Sequence, residues 1–283
     1  MRGSCSRQLL AAVQDTVGKI RDAVRLSAYG ARRRDRFRIV MLTAAMPAIR
    51  RSGRGHRMII NVRVGGEVVP WIVDNFADIS VLEEVFGREV YHLGDLPAPA
   101  TILDLGGHVG ASVLFFARRY PDATIIAVEA DPVNFAKLSR NVGWLPRVHL
   151  VQAAAARHSG RITLFSSGSV DSWKSSTRYA TEWQRPVEVD AVGLDALLAG
   201  QDLEAPIIVK IDIEGAEYEV LDGFKGLSSV AGLVGEVHPG LMGVPVADFR
   251  RLLREFELDL PERVDHDTTF RARRRPDPAQ APA

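Results

Sequence analysis

Three short apolar runs in this chain each end on glycines or acids, and that repeated step restricts the fold to a parallel α/β sheet. Thr101-Ile-Leu-Asp-Leu105 runs into glycines at 106, 107 and 110, and Thr124-Ile-Ile-Ala-Val-Glu129 stops at a carboxylate. Ile207-Ile-Val-Lys-Ile-Asp-Ile213 leads into Glu214-Gly215. Continuous apolar runs of this length read as strands covered on both faces. A helix predicted over 111–120 joins the first two into a βαβ unit, and the ends of its parallel strands open on one crevice.

The residues at those ends suit a nucleoside. Glycine lets the chain turn tightly at positive φ, and the helix that follows presents unpaired N–H groups to an anionic moiety. An acid ending the next strand, Glu129, can grip two ribose hydroxyls across the crevice. The dinucleotide fingerprint Gly-x-Gly-x-x-Gly is absent, because the turn reads Gly106-Gly-His-Val-Gly110, and Asp104 stands where that fingerprint has an apolar residue. A nicotinamide cofactor is therefore disfavoured.

The third run needs a reason for its charges. Period-two geometry puts Lys210 and Asp212 on one face near the carboxyl end, where a crevice solvates or pairs them; a purely structural Lys–Asp pair is the competing reading. Glu217 and Glu219 fall in the early turns of the next helix, where acids also stabilise through the helix dipole. Leu233 to His238 reads as a further strand that brings Glu236 and His238 to the same edge before Pro239-Gly240 breaks it.

With Glu129-Ala-Asp-Pro132, Asn134-Phe135, Asn141, Lys210-Ile-Asp-Ile-Glu-Gly-Ala-Glu217, Glu219-Val-Leu221 and Glu236-Val-His238, the chain from about Val69 to Phe249 resembles the FkbM-type S-adenosylmethionine-dependent methyltransferases. The glycine turn is common to class I methyltransferases, whereas the Lys210–Glu217 octapeptide is close to diagnostic. The resemblance implies a Rossmann-like three-layer αβα sandwich with a seven-stranded, mostly parallel sheet and an antiparallel last strand, here Thr268 to Arg273 beside Glu257 to Leu260. It implies S-adenosyl-L-methionine held by Asp104, Gly106, Gly107, His108, Gly110, Glu129, Ala130 and Ala153. It also implies O-methylation of a hydroxyl on a sugar, glycan or polyketide-type natural product. Two positions depart from the family pattern: His108 replaces the usual Asn, and Ala153 to Ala156 replace a polar residue near the adenine. For the chemistry, His238 or Asp212 is assigned as base, Lys210 as the group orienting the carboxylate, and Glu236 as the residue holding the histidine or the acceptor. Glu214 and Trp173 are assigned to the acceptor, Trp173 within a serine-rich lid over Ser166 to Thr181 that also carries Asp171 and Tyr179; a plain exposed loop is the competing reading.

Charge divides the chain. Residues 1–57 hold 14 Lys or Arg against three acids, a net +11, which leaves −10 for the rest of a chain whose total is +1. We read 1–57 as a basic, mostly helical extension, 58–270 as the catalytic domain and 271–283 as a disordered tail. Met58 to Val64 and Val68 to Val73 are expected to form a hairpin at Gly65-Gly66, and Val81 to Tyr91 a helix that walls the site with Tyr91. The arginines lack interleaved aromatics, so a solvated face is favoured over nucleic-acid binding; an RNA or protein methyltransferase docking through this leader is the alternative function. Cys5 is the lone cysteine, which rules out an intramolecular disulfide and fits a cytoplasmic protein. Leu9 to Val13 is too short for a signal peptide, and no apolar stretch approaches the roughly 20 residues of a membrane span. His108, Asp212, Glu214 and His238 show no compact ligand spacing, so no metal is expected.

Overall fold

The computed structural model describes residues 18, 20–52, 57–166, 175–178, 184–199, 201 and 203–276. It divides into two compact units, Met1–Gly87 with Ser169–Asp171, and Arg88–Gly168 with Ser172–Ala283. The first unit thus runs past the basic leader to Gly87.

In the first unit, helix α1 (Arg33–Ser52) precedes an antiparallel hairpin of β1 (Met58–Val64) and β2 (Glu67–Val73). Gly65 and Gly66, at φ +55 and +84, supply the two left-handed residues such a turn demands. Helix α2 (Ala77–Leu82) continues as a π-helical turn over Glu83–Gly87. The helix expected over 81–91 therefore starts earlier and stops earlier. Asp78 sets its start: its buried carboxylate accepts from the Asp74 and Asn75 N–H groups, and its carbonyl accepts from the Trp71 indole.

The second unit carries β3 (Thr101–Leu105), α3 (Ala111–Arg119), β4 (Thr124–Glu129), α4 (Pro132–Val142) and β5 (Val148–Gln152). A three-stranded sheet follows, made of β6 (Ala154–Ala156), β7 (Gly160–Ser166) and β8 (Arg185–Gly193) in the order β6-β8-β7. Then come α5 (Leu194–Leu198), β9 (Ile207–Ile211), α6 (Glu217–Gly223), β10 (Val230–Val237), α7 (Val246–Leu252), β11 (Phe256–Asp259) and β12 (Thr268–Arg274). The main sheet has the order β11-β12-β10-β9-β3-β4-β5. Only β12 runs against the others, inserted between β10 and β11, as the sequence led us to expect.

All five residues of β3 are buried, the state its unbroken apolar run foretold. Beneath the sheet the core is closed by Phe249 and Phe270, packed edge to face with centroids 5.2 Å apart. Burying Phe249 completely contributes on the order of 2–3 kcal/mol. The register aligns Leu105 with both Val128 and Ile211, and Ile211 with Gly235. Strand ends β10, β9, β3 and β4 therefore lie side by side.

Candidate active site

The turn after β3 is built against its neighbours on both sides. The Gly106 and Gly107 N–H groups both donate to Val128 O, at 2.9 and 3.0 Å, and the Asp212 N–H donates to Leu105 O at 3.1 Å. Gly106 sits at φ +85, and a Cβ there would lie 1.9 Å from Asp212 O. Only glycine fits so close an approach. His108 is also left-handed, at φ +49, a conformation in which His and Asn are several-fold enriched among non-glycine residues, so the exchange of one for the other preserves the backbone. Burial and the cations of Lys137 and Lys210 hold its ring well below the usual range, hence neutral.

Glu129 lies on this turn. Its Oε2 accepts from the His108 N–H at 2.8 Å and its Oε1 from the Asp131 N–H at 2.9 Å. Burial, then the charge of Asp131, push its carboxyl up to about 7 against those two hydrogen bonds. Ala130 and Ala153 follow around the same edge, with the Ala153 N–H donating to Glu129 O at 3.1 Å. Asp131 caps α4 through the Val133 and Asn134 N–H groups. Its other oxygen accepts from the hydroxyls of Ser166 and Ser175.

Asp104 is placed differently from its expected role. It is fully buried beneath the turn, with Ser112 Oγ donating to Oδ2 at 2.5 Å and Lys210 Nζ 3.1 Å from Oδ1. Burial pushes its carboxyl above the usual carboxylate range, opposed by Lys210 and Ser112. Removing the Ser112 hydroxyl strips one hydrogen bond from a buried acid, so Ser112→Ala is expected to cost about 1.5–3 kcal/mol in urea unfolding. A loss below about 0.5 kcal/mol, the level of an indifferent surface change, would mean that Asp104 does not depend on that hydroxyl.

Lys210 belongs to the same buried group, since its ammonium also donates to Gly106 O at 2.6 Å. Asp212 is hydrogen-bonded by Tyr91, whose hydroxyl donates to Oδ2 at 2.6 Å while its ring lies 5.0 Å from Lys210 Nζ. β9 ends at Ile211, so Asp212 stands just past the strand, at the crevice.

Asp212, Glu214 and His238 converge, with one ligand-type atom of each within 4.8 Å of the others; His108 is not in this group. His238 Nε2 faces Asp212 Oδ1 and Glu214 Oε2 at 3.8 Å and Glu236 Oε2 at 3.9 Å, while Nδ1 lies 2.8 Å from Glu217 Oε1. The hydrogen-bond partner of the ring is thus Glu217. Its buried carboxylate also accepts from the Gly215 and Ile213 N–H groups, so it fixes the loop as well as the ring. Burial alone favours a neutral His238, but the Glu217 hydrogen bond and the charges of Glu217, Asp212 and Glu214 outweigh it and push the ring up to about 10. An imidazolium is no proton acceptor at neutral pH. Burial, relieved by His238 and reinforced by Asp212 and Glu217, pushes Glu214 up to about 8.

Of the serine-rich segment, Trp173, Asp171 and Tyr179 lie outside the described residues. Its described foot is anchored twice, Ser175 on Asp131 and Ser176 on Glu214 O at 2.8 Å. The sequence reading missed Tyr91 as a hydrogen-bond donor, Asp131 as an anchor and Glu217 as the histidine's partner. Glu217 carried a signal, since an acid in a first helical turn that is itself preceded by Gly215 can fold back on the loop.

Residues 104–257, more than half of the chain, match the methyltransferase FkbM domain. The 2-O-methyltransferase NoeI of Sinorhizobium fredii is 27% identical over 206 residues, covering 65% of this chain and 84% of NoeI. Hexuronic acid methyltransferase AglP of Haloferax volcanii is 26% identical over 157 residues, covering 55% of this chain and 62% of AglP. Methyltransferase 1 of Beauveria bassiana is 28% identical over 162 residues, covering 50% of this chain and 65% of its own, so under two thirds of that relative is spanned. Among solved structures, a precorrin-6y C5,15-methyltransferase from Geobacter metallireducens is similar at a TM-score of 0.41 and 14% identity, over 70% of this chain and 88% of that one.

Proposed function

Because the chain belongs to the methyltransferase FkbM family, we propose that it transfers the methyl group of S-adenosyl-L-methionine to a hydroxyl of a sugar, glycan or polyketide-type natural product. One observation carries this reading: the adenosyl-type cradle of Gly106 and Glu129 adjoins the Asp212–Glu214–His238 cluster, through the contact of Gly106 with Asp212 O. The names of two relatives, a 2-O-methyltransferase and a hexuronic acid methyltransferase, favour a sugar hydroxyl.

The sulfonium methyl is already activated, so the protein must align an acceptor oxygen behind it and exclude water. The C–S bond breaks with its electron pair left on sulfur, an O–C bond forms, and the hydroxyl proton passes to a carboxylate. Asp212 is the base in this scheme, held by Tyr91 and accompanied by the imidazolium of His238. Positioning supplies on the order of 7–11 kcal/mol, against about 3–5 kcal/mol for a base worth 10²- to 10⁴-fold. The turn and the strand ends thus matter more than any proton acceptor.

Calorimetry should find S-adenosylhomocysteine bound and NAD(H) not; the reverse result sinks the reading. Labelled donor incubated with glycan and metabolite extracts then identifies the acceptor. Glu129 gives a sharper test. Already accepting two backbone N–H bonds, it needs its ionised form to accept ribose hydroxyls as well, and its carboxyl titrates near 7 in the free protein. Below that pH binding must expel a proton, so affinity should fall by up to about tenfold per pH unit from 7 to 5, and Glu129→Gln should flatten the profile. A wild-type affinity unchanged between pH 5 and 8 argues against ribose binding by this carboxylate.

A further inference from the structure

We infer that the outward face of helix α1, with Phe37 and Met41 among Arg33, Arg34 and Arg38, docks the chain on the surface of an anionic lipid bilayer. The inference is independent of the methyl-transfer reading. From sequence this stretch read as a solvated face; the structure puts apolar side chains into it.

Helix α1 has two distinct sides. Asp35, Ile39 and Leu42, at the spacing of one helical face, are buried and fasten it to its own unit. Phe37 and Met41, four apart on the other side, stand 50–64% exposed, and the exposed Arg33, Arg34 and Arg38 surround them. The helical residues 20–27 repeat the pattern: Leu26 and Ala23 are buried, while Ile20 and Val24 are exposed beside Arg21 and Arg25. Arg38 Nη1 also donates to Ile59 O at 3.3 Å, which ties the exposed Ile59 of β1 to the same helix. Among the described residues, seven large apolar side chains are strongly exposed, and six of them, Ile20, Val24, Phe37, Met41, Ile59 and Val68, fall in this unit. A helix whose other side is already buried gains nothing in folding from them, and such a concentration marks an interaction surface.

Charge identifies the occupant. Residues 20–41 hold seven arginines and only two acids, of which Asp35 is buried and Asp22 lies 3.5 Å from Arg25. A second copy presenting this face would set arginine against arginine. Nucleic acid would satisfy the arginines, yet Ile20, Val24 and Met41 offer no aromatic plane on which a base can stack. An anionic bilayer meets both demands at once. Its phosphates face the guanidinium groups, and the apolar side chains enter the boundary between headgroups and acyl chains, with the arginine stems lying along it. No described helix is long and apolar enough to cross a membrane, so the contact is one of surface.

The test floats the full chain with vesicles of equimolar phosphatidylcholine and phosphatidylglycerol, and with vesicles of phosphatidylcholine alone. Binding is expected to the anionic vesicles only, and to weaken steeply at about 1 M salt, where screening acts within about 3 Å. Phe37→Ser should weaken it at least about tenfold, and Arg33→Gln and Arg34→Gln about fivefold each. All three side chains point outward, so the urea midpoints should stay in place, which separates docking from folding. No binding to anionic vesicles, equal binding to both kinds, or binding indifferent to Phe37→Ser overturns the proposal. A single-stranded RNA oligonucleotide held equally by the wild type and by Phe37→Ser, without vesicle binding, gives the face to nucleic acid instead. Dimerisation in light scattering that Phe37→Ser abolishes gives it to a second copy and likewise overturns the proposal.

Discussion

Gly106→Ala is expected to destabilise the chain by more than about 4 kcal/mol, the range reserved for strain or a broken core, and to abolish S-adenosylhomocysteine binding. Two effects combine. Holding alanine in a left-handed conformation costs about 1–2 kcal/mol by itself. The added carbon would then sit 1.9 Å from Asp212 O, and because that atom is backbone pinned by the Asp212 N–H bond to Leu105 O, no side-chain rotation relieves it. Either β9 moves from β3 or the turn leaves Glu129. Gly107→Ala is the control: its methyl would meet Leu138 at 3.4 Å and Ala127 at 3.6 Å, and its φ is not left-handed. A change within about 1 kcal/mol is expected there. Gly110→Ala falls between, with φ +100 but only side-chain methyls in the way, those of Val142 at 3.0 Å and 3.1 Å and of Leu138 at 3.2 Å. Urea unfolding and calorimetry on the three variants give the ranking, and equal losses at Gly106 and Gly107 would show that the turn is not pressed on Asp212.

That contact explains why some of the site was legible in the sequence and some was not. The strand ends β3, β4 and β9 are local patterns, an apolar run followed by glycine or acid; β3 and β4 end where their runs stop, whereas β9 ends at Ile211, two residues before its run does. The reversed β12 was anticipated only through the fold that the family resemblance implied, and it lies between β10 and β11 rather than at an edge. Partnerships were harder. Lys210 and Asp212 share a face by period two, yet Lys210 pairs with Asp104 on the adjacent strand and Asp212 with Tyr91, 121 positions away. Choosing among acids for one lysine is a three-dimensional decision that alternation does not make. The same limit hid Glu217: Glu236, two residues from His238, was read as holding the histidine or the acceptor and stands 3.9 Å from Nε2, while Glu217, from the start of the next helix, lies 2.8 Å from Nδ1.

Those partnerships make Asp212→Asn the second large effect. Single-turnover methyl transfer should fall by roughly 10²- to 10⁴-fold, the range of a lost general base, while S-adenosylhomocysteine binding changes little because Asp212 reaches the turn through its backbone, which the substitution keeps. Tyr91→Phe separates orientation from proton transfer. It deletes a 2.6 Å hydrogen bond to a carboxylate, worth about 1.5–3 kcal/mol, yet leaves the acid in place. Its rate should drop roughly 10- to 100-fold. Asparagine offers the tyrosine an equivalent acceptor oxygen, so a merely structural Asp212 would make the asparagine variant the milder of the two. A near-normal rate for Asp212→Asn, or a loss smaller than that of Tyr91→Phe, removes Asp212 from the chemistry and leaves alignment by the turn as the whole of the catalysis supplied here.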